Sequence, residues 1–436
     1  MEKSILILGA GFVAGPAVEY LTRNENNQIT LVSHILAEAE ALAGEHPRIK
    51  AMQGDVSDKQ QMGALVEQHD LVISLVPYLF HVAIAELCIE HKKPMITASY
   101  VSPEMKALDA KASEAGVLVL NEIGLDPGID HLSAMKIIDE VHAEQGEVLS
   151  FASWCGGLPA PECNNNPLGY KFAWAPRAVL LALLNEARFL KSGAISDIAP
   201  DALLDNVNDV YVTDEFDLEG YPNRDSSNYR EAYNIPEVQN LIRGTLRYKG
   251  FAEIFKAARA LGLLSLEPVE PSQLEGKTWQ QWFEAQVDAL DFGFSAEVLE
   301  ALEWLGFSAD EPLPVANTML DVFCALLQQK LNYEADEFDM IVLQHKFEVK
   351  KQDTVENLTS TLVVKGEAGG FSAMAKTVGY PVAIACQLVL DGQITESGVK
   401  IPVSPVFYEP LLAGLEKEGI ICEEKTVPAF QERFFD

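Results

Sequence analysis

Residues 4–15 read Ser4-Ile5-Leu6-Ile7-Leu8-Gly9-Ala10-Gly11-Phe12-Val13-Ala14-Gly15, and no other stretch narrows the fold as much. Four to five consecutive apolar residues specify a strand buried on both faces, as in a parallel sheet covered by helices. The glycines then turn the chain into a helix running through Val18 and Leu21. Gly9, Gly11 and Ala14 occupy the three positions of a G-x-G-x-x-G/A dinucleotide fingerprint. The first glycine allows the turn, the second lets a pyrophosphate approach the backbone, and the third position must be small for helix and strand to pack. The N–H groups at the helix start then bind the anion. A second strand, Gln28 to Ser33, completes the βαβ unit. In NAD sites this strand usually ends in an Asp or Glu that holds the ribose diol. Here Ser33 and His34 stand in that place, with no carboxylate to repel a 2′-phosphate. That tilts the cofactor toward NADP and leaves NAD open, because His34 is mostly neutral at pH 7 unless a phosphate raises its pKa.

The pattern repeats down the chain. Ile49 to Gln53, Asp70 to Val76, Met95 to Ser99 and Val117 to Leu120 read as further strands, separated by helices Lys59–Gln68, Leu79–His91 and Pro103–Ala115. Alternating strands and helices of this length mean a doubly wound, Rossmann-type parallel sheet. Ligands in such sheets lie beyond the carboxyl ends of the strands. The expected ring around the cofactor is therefore Gly11 to Val13, Ser33, His34, Asp55, Val56, Val76 to Tyr78, Ser99, Tyr100 and Glu122 to Asp126.

Partners are bounded by composition. A formal charge of −33 excludes nucleic acid and anionic membrane surfaces as binding partners, since both need basic patches. A small polyanion entering so acidic a protein must be met by locally gathered Arg or Lys. Six cysteines without C-x-x-C spacing suit reduced thiols in a cytosolic enzyme, with no zinc or other metal site. The start runs straight into the first strand, so no signal peptide is expected, and no apolar run is read as approaching 18 residues.

Beyond the first sheet the organisation changes. A helix is expected from near Asp130, capped by its carboxylate, to His142. Asp126, before Pro127 in a loop facing the cofactor, is either a site carboxylate or an Asx-turn former. Residues 148–157 read as a strand, followed by a long loop to Tyr170 and a helix Pro176–Phe189. Arg224 sits among turn-formers in Tyr221-Pro222-Asn223-Arg224-Asp225-Ser226, where a polyanion would need it. Helical signals cover Val238–Arg243, Phe251–Leu261, Trp279–Leu290, Ala296–Trp304 and Thr318–Leu331. Asp339–Val349 and Leu358–Val364 read as antiparallel strands, followed by a buried helix from Thr377 to Leu390, a helix Pro405–Gly419 and a strand near Ile420–Cys422. The expected domains are 1–128 for the dinucleotide, completed by the tail from about 395 to 436, a mixed α/β substrate and dimerisation domain of 129–235 and 335–394, and a mainly helical insertion, 236–334. Such a chain is a dehydrogenase acting on an anionic substrate, in which the nicotinamide carries the hydride chemistry.

Several stretches, in order, resemble the saccharopine reductase family, the L-glutamate-forming saccharopine dehydrogenases. They are Ile73-Ser74-Leu75-Val76-Pro77-Tyr78 with Phe80-His81, Thr97 to Pro103, Asn121 to His131, Cys155 to Glu162, Asn166 to Phe172, Gly220 to Ser226 and Ile242 to Tyr248. The resemblance implies reversible reductive condensation of 2-aminoadipate 6-semialdehyde with L-glutamate to L-saccharopine, with NADP, in a cytoplasmic homodimer. It places substrate contacts on Ser99, Tyr100, Asp126, Arg224 and a Thr245-Leu246-Arg247 turn. It places cofactor contacts on Gly9, Gly11, Phe12, Val13, Ser33, His34, Ile35, Asp55, Val56, Val76, Leu125, Asp126, Pro127, Gly128 and Trp174. Arg224 and Arg247 would clamp carboxylates. Asp126 would face the secondary amine, with Tyr100 or Cys155 hydrogen-bonding nearby, so these three are the candidate catalytic residues. Cys155 reads equally as a core thiol and Trp174 as a packing residue. Where the family has Cys-Arg-Thr after the second strand, this chain has Ser33-His34-Ile35. The alternatives are a relative reducing another imine, such as a carboxylated polyamine, and a nucleotide-binding regulator without chemistry.

Overall fold

The computed structural model describes residues 2–430. Contacts group the chain into two units, one running through Gly146 and resuming at Gly370–Glu423, the other Glu147–Gly369 with the segment from Glu424.

The first unit is built on a seven-stranded parallel sheet. Its order is Gly398–Lys400, Leu118–Leu120, Met95–Thr97, Leu71–Ser74, Lys3–Leu8, Asn27–Ser33, Ile49–Gln53. This is the Rossmann order with one strand added from the C-terminal part of the chain, and its switch point lies between Lys3–Leu8 and Leu71–Ser74. Ile5 to Leu8 and Leu71 to Ile73 are fully buried, as strands covered by helices on both sides must be. The helix after the first strand is Ala14–Thr22, and the helix expected from Asp130 is Ile129–Ala143.

Two helices assigned by sequence to the second domain pack here. Ile129–Ala143 lies against Pro405–Lys417, where the Tyr408 hydroxyl donates to Asp139 Oδ2 at 2.7 Å. Ala373–Leu390 lies along Ala14–Thr22 so closely that a Cβ on Gly379 would come 2.8 Å from the Val13 carbonyl. The latter helix has 18 residues and is apolar enough to cross a membrane by length and composition, against the expectation that no stretch approaches that size. Two thirds of it is buried in the protein, which accounts for its apolar character.

The second unit holds a mixed sheet. Its main path runs Asn208–Asp209, Leu218–Pro222, Asn240–Tyr248, Glu147–Pro159, Asp339–Lys351, Thr354–Lys365, Glu423–Val427. Three readings change. The helix expected at Val238–Arg243 and the turn at Thr245–Arg247 are one strand in the middle of this sheet. Apolar Ile242 and Leu246 alternate with polar Arg243, Thr245 and Arg247, but both arginines are buried as well, so the strand is covered on both faces and its pairing with two neighbours overrides the helical reading. The helix from Pro176 ends at Ala182, and Ala187–Lys191 pairs with Ala194–Ile198 through Ser192-Gly193, both at positive φ, as a tight hairpin turn demands. The helical region accordingly starts at Phe251 and comprises Phe251–Ala260, Trp279–Val287, Ala296–Leu305 and Met319–Lys330. Finally, the tail divides. Gly398–Lys400 joins the first sheet, but the last strand begins at Glu423, beyond Ile420–Cys422, and joins the second; residues 431–436 of the expected tail lie outside the described residues.

Candidate functional site

The turn after the first strand has the shape a pyrophosphate requires. Gly9 has φ +107°, and a Cβ there would sit 2.9 Å from the Leu75 carbonyl oxygen. In front of Gly11 a Cβ would meet nothing within 4 Å, so the backbone there is open to a ligand, and Ala14 is fully buried at the packing position. Val13 lies at the start of helix Ala14–Thr22. Phe12, Ile35, Tyr78 and Leu79 are all more than half exposed on loops that follow strands of this sheet, an apolar rim suited to flat rings. Val56 and Val76 are half-buried on the same ends.

At the ribose end of the turn the structure adds something sequence reading missed. The Ser33 hydroxyl donates to Glu38 Oε2 at 2.9 Å and accepts from the Ile35 amide at 3.2 Å. A carboxylate thus stands beside the end of the second strand, carried by the following helix rather than by the strand itself. Nearby, the Ser57 hydroxyl and amide hold the Asp55 carboxyl below its ordinary value. His34 is exposed.

The loops after the fifth and sixth strands are braced together. The Tyr100 hydroxyl donates to Asp126 Oδ1 at 3.3 Å, bringing two candidate catalytic groups into contact. Ser99 and Val101, on either side of Tyr100, are both anchored to Glu122. The Glu122 amide donates to the Ser99 carbonyl at 3.1 Å, and its carboxylate accepts from the Val101 amide at 2.9 Å and pairs with His131 Nε2 at 2.7 Å. Asp130 Oδ1 accepts from the Gly128 and His131 amides, so it caps from within the first turn rather than from before it. The loop 124–128, with its cis Asp126-Pro127 bond, closes on itself through Gly124 N–H to Pro127 O at 2.9 Å and Ile129 N–H to Gly124 O at 2.8 Å. Leu125 is buried beneath it.

The remaining candidates lie in the second unit. Cys155, Thr245 and Tyr221 stand opposite one another on three neighbouring strands, with Cys155 only 8% exposed. Arg247 is 4% exposed, its guanidinium 5.0 Å from the Tyr170 ring, 5.1 Å from Phe251 and 5.9 Å from Tyr221. Burial pushes both phenols up, so they stay neutral. Arg247 Nη1 donates to the Leu246 carbonyl at 2.8 Å, and no carboxylate among the described residues pairs with it. A buried cation lacking a counter-ion is costly unless an anion joins it. Leu246 turns its side chain into the core, so only its backbone can meet a ligand. Arg224 is exposed at φ +54°, in a left-handed conformation uncommon outside glycine. Trp174 is half-buried against the core of this unit.

A family model described as Saccharopine dehydrogenase NADP binding domain matches residues 5–120, and one described as Saccharopine dehydrogenase C-terminal domain matches residues 124–420. The chain is 42% identical over 448 residues to the saccharopine dehydrogenase (NADP(+), L-glutamate-forming) of Pyricularia oryzae, an alignment covering 98% of this chain and 99% of that one. It is 40% identical to the mitochondrial alpha-aminoadipic semialdehyde synthase of Rattus norvegicus, covering 98% of this chain and 48% of that protein. Among solved structures, apo histidine-tagged saccharopine dehydrogenase (L-Glu forming) from Saccharomyces cerevisiae matches with TM-score 0.92 and 41% identity, over 98% of this chain and 100% of that one.

Proposed function

The chain belongs to the saccharopine dehydrogenase family, and we propose that it joins 2-aminoadipate 6-semialdehyde to L-glutamate, reversibly and with NADP(H), to give L-saccharopine. The supporting observation is the end-to-end likeness to L-glutamate-forming enzymes, laid over a glycine turn that fits a pyrophosphate. NADPH, when bound, supplies the hydride. Gly9, Gly11 and the start of helix Ala14–Thr22 hold the pyrophosphate, and the apolar rim flanks the rings. Arg247 and Arg224 take substrate carboxylates, Arg247 because its buried charge lacks an anion. Asp126 faces the secondary amine, its Oδ1 accepting from the Tyr100 hydroxyl, and Ser99 binds a polar substrate atom beside them. Cys155, next to Thr245, lines the same region of the second sheet. The strongly acidic chain and dispersed cysteines support small-molecule partners and a cytosolic enzyme, and we read it as a homodimer.

One assay tests this reading. Saccharopine with NADP generates reduced cofactor measured by absorbance, NAD does so less well, and Arg224→Ala lowers kcat/KM about tenfold through loss of one exposed charge-assisted bond. Absence of saccharopine oxidation with either cofactor overturns the substrate assignment. A second test addresses Glu38, whose carboxylate opposes a 2′-phosphate beside Ser33. Glu38→Gln is expected to tighten NADPH binding about threefold to fivefold, the scale of one solvent-exposed charge pair, while NADH binding stays within about twofold. Fluorescence titration of each reduced cofactor measures both constants. An unchanged NADPH constant places the 2′-phosphate elsewhere.

A further inference from the structure

His81 has no part in the chemistry above, yet it is only 4% exposed and bonded at both ring nitrogens. It opens the helix His81–Glu90, and its ring reaches back across the ends of two strands. Nδ1 lies 2.9 Å from the Ser74 hydroxyl, at the end of the fourth strand, and Nε2 lies 2.8 Å from the Ser99 hydroxyl, just past the fifth. Thr97 Oγ1 lies 3.4 Å from Nε2 and accepts from the Ser99 amide at 3.3 Å. All of these groups belong to the first unit.

We infer that the Ser74–His81–Ser99 chain fixes Ser99 as a hydrogen-bond donor toward the substrate, with His81 as the positioning residue. The direction follows from Ser74. Its side chain is fully buried, and His81 Nδ1 is its one hydrogen-bond partner among the described residues. A buried hydroxyl leaves its proton unsatisfied unless it donates, and of the two buried hydroxyls against the ring Ser74, at 2.9 Å, makes a shorter contact than Thr97, at 3.4 Å, so Ser74 donates and Nδ1 accepts. Burial holds the ring down to about pKa 4, so it is neutral near pH 7 and carries its single proton on the other nitrogen. Nε2–H therefore donates to Ser99 Oγ, and the Ser99 proton remains for an acceptor outside the chain. The ligand atom that fits is an oxygen bearing negative charge, a carboxylate oxygen above all. The Glu122 amide on the Ser99 carbonyl fixes the backbone beneath the same hydroxyl. This inference rests on the placement of Ser99 at the substrate, and the experiment separates the two.

The enzyme labelled with 15N in histidine is expected to show His81 as a neutral ring protonated at Nε2; protonation at Nδ1 overturns the proposal. In kinetics, His81→Leu raises the KM for saccharopine about tenfold with a smaller change in kcat, the scale of one hydrogen bond to a charged group. In a Ser99→Ala background the same change raises KM less than about twofold, because the hydroxyl it positions is gone. His81→Gln, whose amide oxygen can accept from Ser74 and whose NH2 can donate to Ser99, recovers most of the loss. Equal losses in both backgrounds overturn the relay and leave Ser99 at the substrate. An unchanged KM in Ser99→Ala overturns the placement of Ser99 and the relay with it. Should His81→Leu fail to fold, the spectrum of Ser74→Ala decides: loss of the single Nε2-protonated form supports the lock, and its retention overturns it.

Discussion

Gly128→Ala is expected to eliminate measurable NADPH binding and to lower the melting temperature sharply, the largest single-methyl effect in this protein. At φ +149° the backbone of Gly128 occupies a region close to inaccessible for L side chains, and a Cβ there would sit 1.9 Å from the Gly124 carbonyl oxygen and 2.2 Å from its nitrogen. Neither neighbour can yield, because both are backbone, and the Gly124 amide and carbonyl are the groups that close the loop bearing Asp126. Clashes of this kind, fixed on both sides, cost on the order of 4 kcal/mol or more. Gly116→Ala is the control. Gly116 also has positive φ, but a Cβ there meets nothing within 4 Å, so the cost is about 1 kcal/mol and cofactor binding persists. Calorimetric melting and fluorescence titration on both variants check the pair; similar behaviour of the two would mean that the loop can re-form around the added methyl.

Arg247→Met is expected to cut kcat/KM for saccharopine by about a hundredfold while leaving the melting temperature unchanged or higher. Loss of a charge-assisted bond to a carboxylate corresponds to about 2–3 kcal/mol of transition-state binding. The stability side has the opposite sign because Met refills the space among Tyr170, Phe251 and Tyr221 without a buried charge, and replacing buried ions by apolar side chains is often neutral or stabilising. Steady-state kinetics and thermal melts on the same preparation separate the two roles. A collapse in stability with unchanged KM in the surviving enzyme would mean that the guanidinium serves the aromatic cluster alone.

Much of the first unit was legible because its signals are local. Apolar runs at Ile5–Leu8 and Leu71–Ile73 need no tertiary information to read as doubly covered strands, and the Gly9-x-Gly11 turn carries its own geometry. The second sheet was harder. In Asn240–Tyr248 apolar and polar residues alternate only from Ile242 to Tyr248, a short signal beside the helical one, and the burial of Arg243 and Arg247 on the polar face is set by the neighbouring strands rather than by the local pattern. Domain limits failed at helices Ile129–Ala143 and Ala373–Leu390, because sequence distance says nothing about which face a helix covers. Of the candidate site, the resemblance named Tyr100, Asp126, Cys155 and Thr245 singly, but the Tyr100–Asp126 hydrogen bond and the Cys155–Thr245 pairing appear only once loops and strands are brought together. Glu38, Glu122 and His81 did not stand out, since each acts by reaching another loop. A histidine placed just after the Pro77-Tyr78 break was the one available hint.

The order in which the segments leave the ribosome bears on how the enzyme is made. The first 146 residues emerge early, but the helix Ala373–Leu390 that covers Ala14–Thr22 and the edge strand Gly398–Lys400 follow only after the whole of 147–369. At about 5–20 residues per second the nascent sheet waits on the order of ten to fifty seconds with that apolar flank uncovered. Chaperone demand during biosynthesis should therefore fall on the amino-terminal half, and chains truncated before residue 370 should be captured by holdases more readily than their length alone suggests.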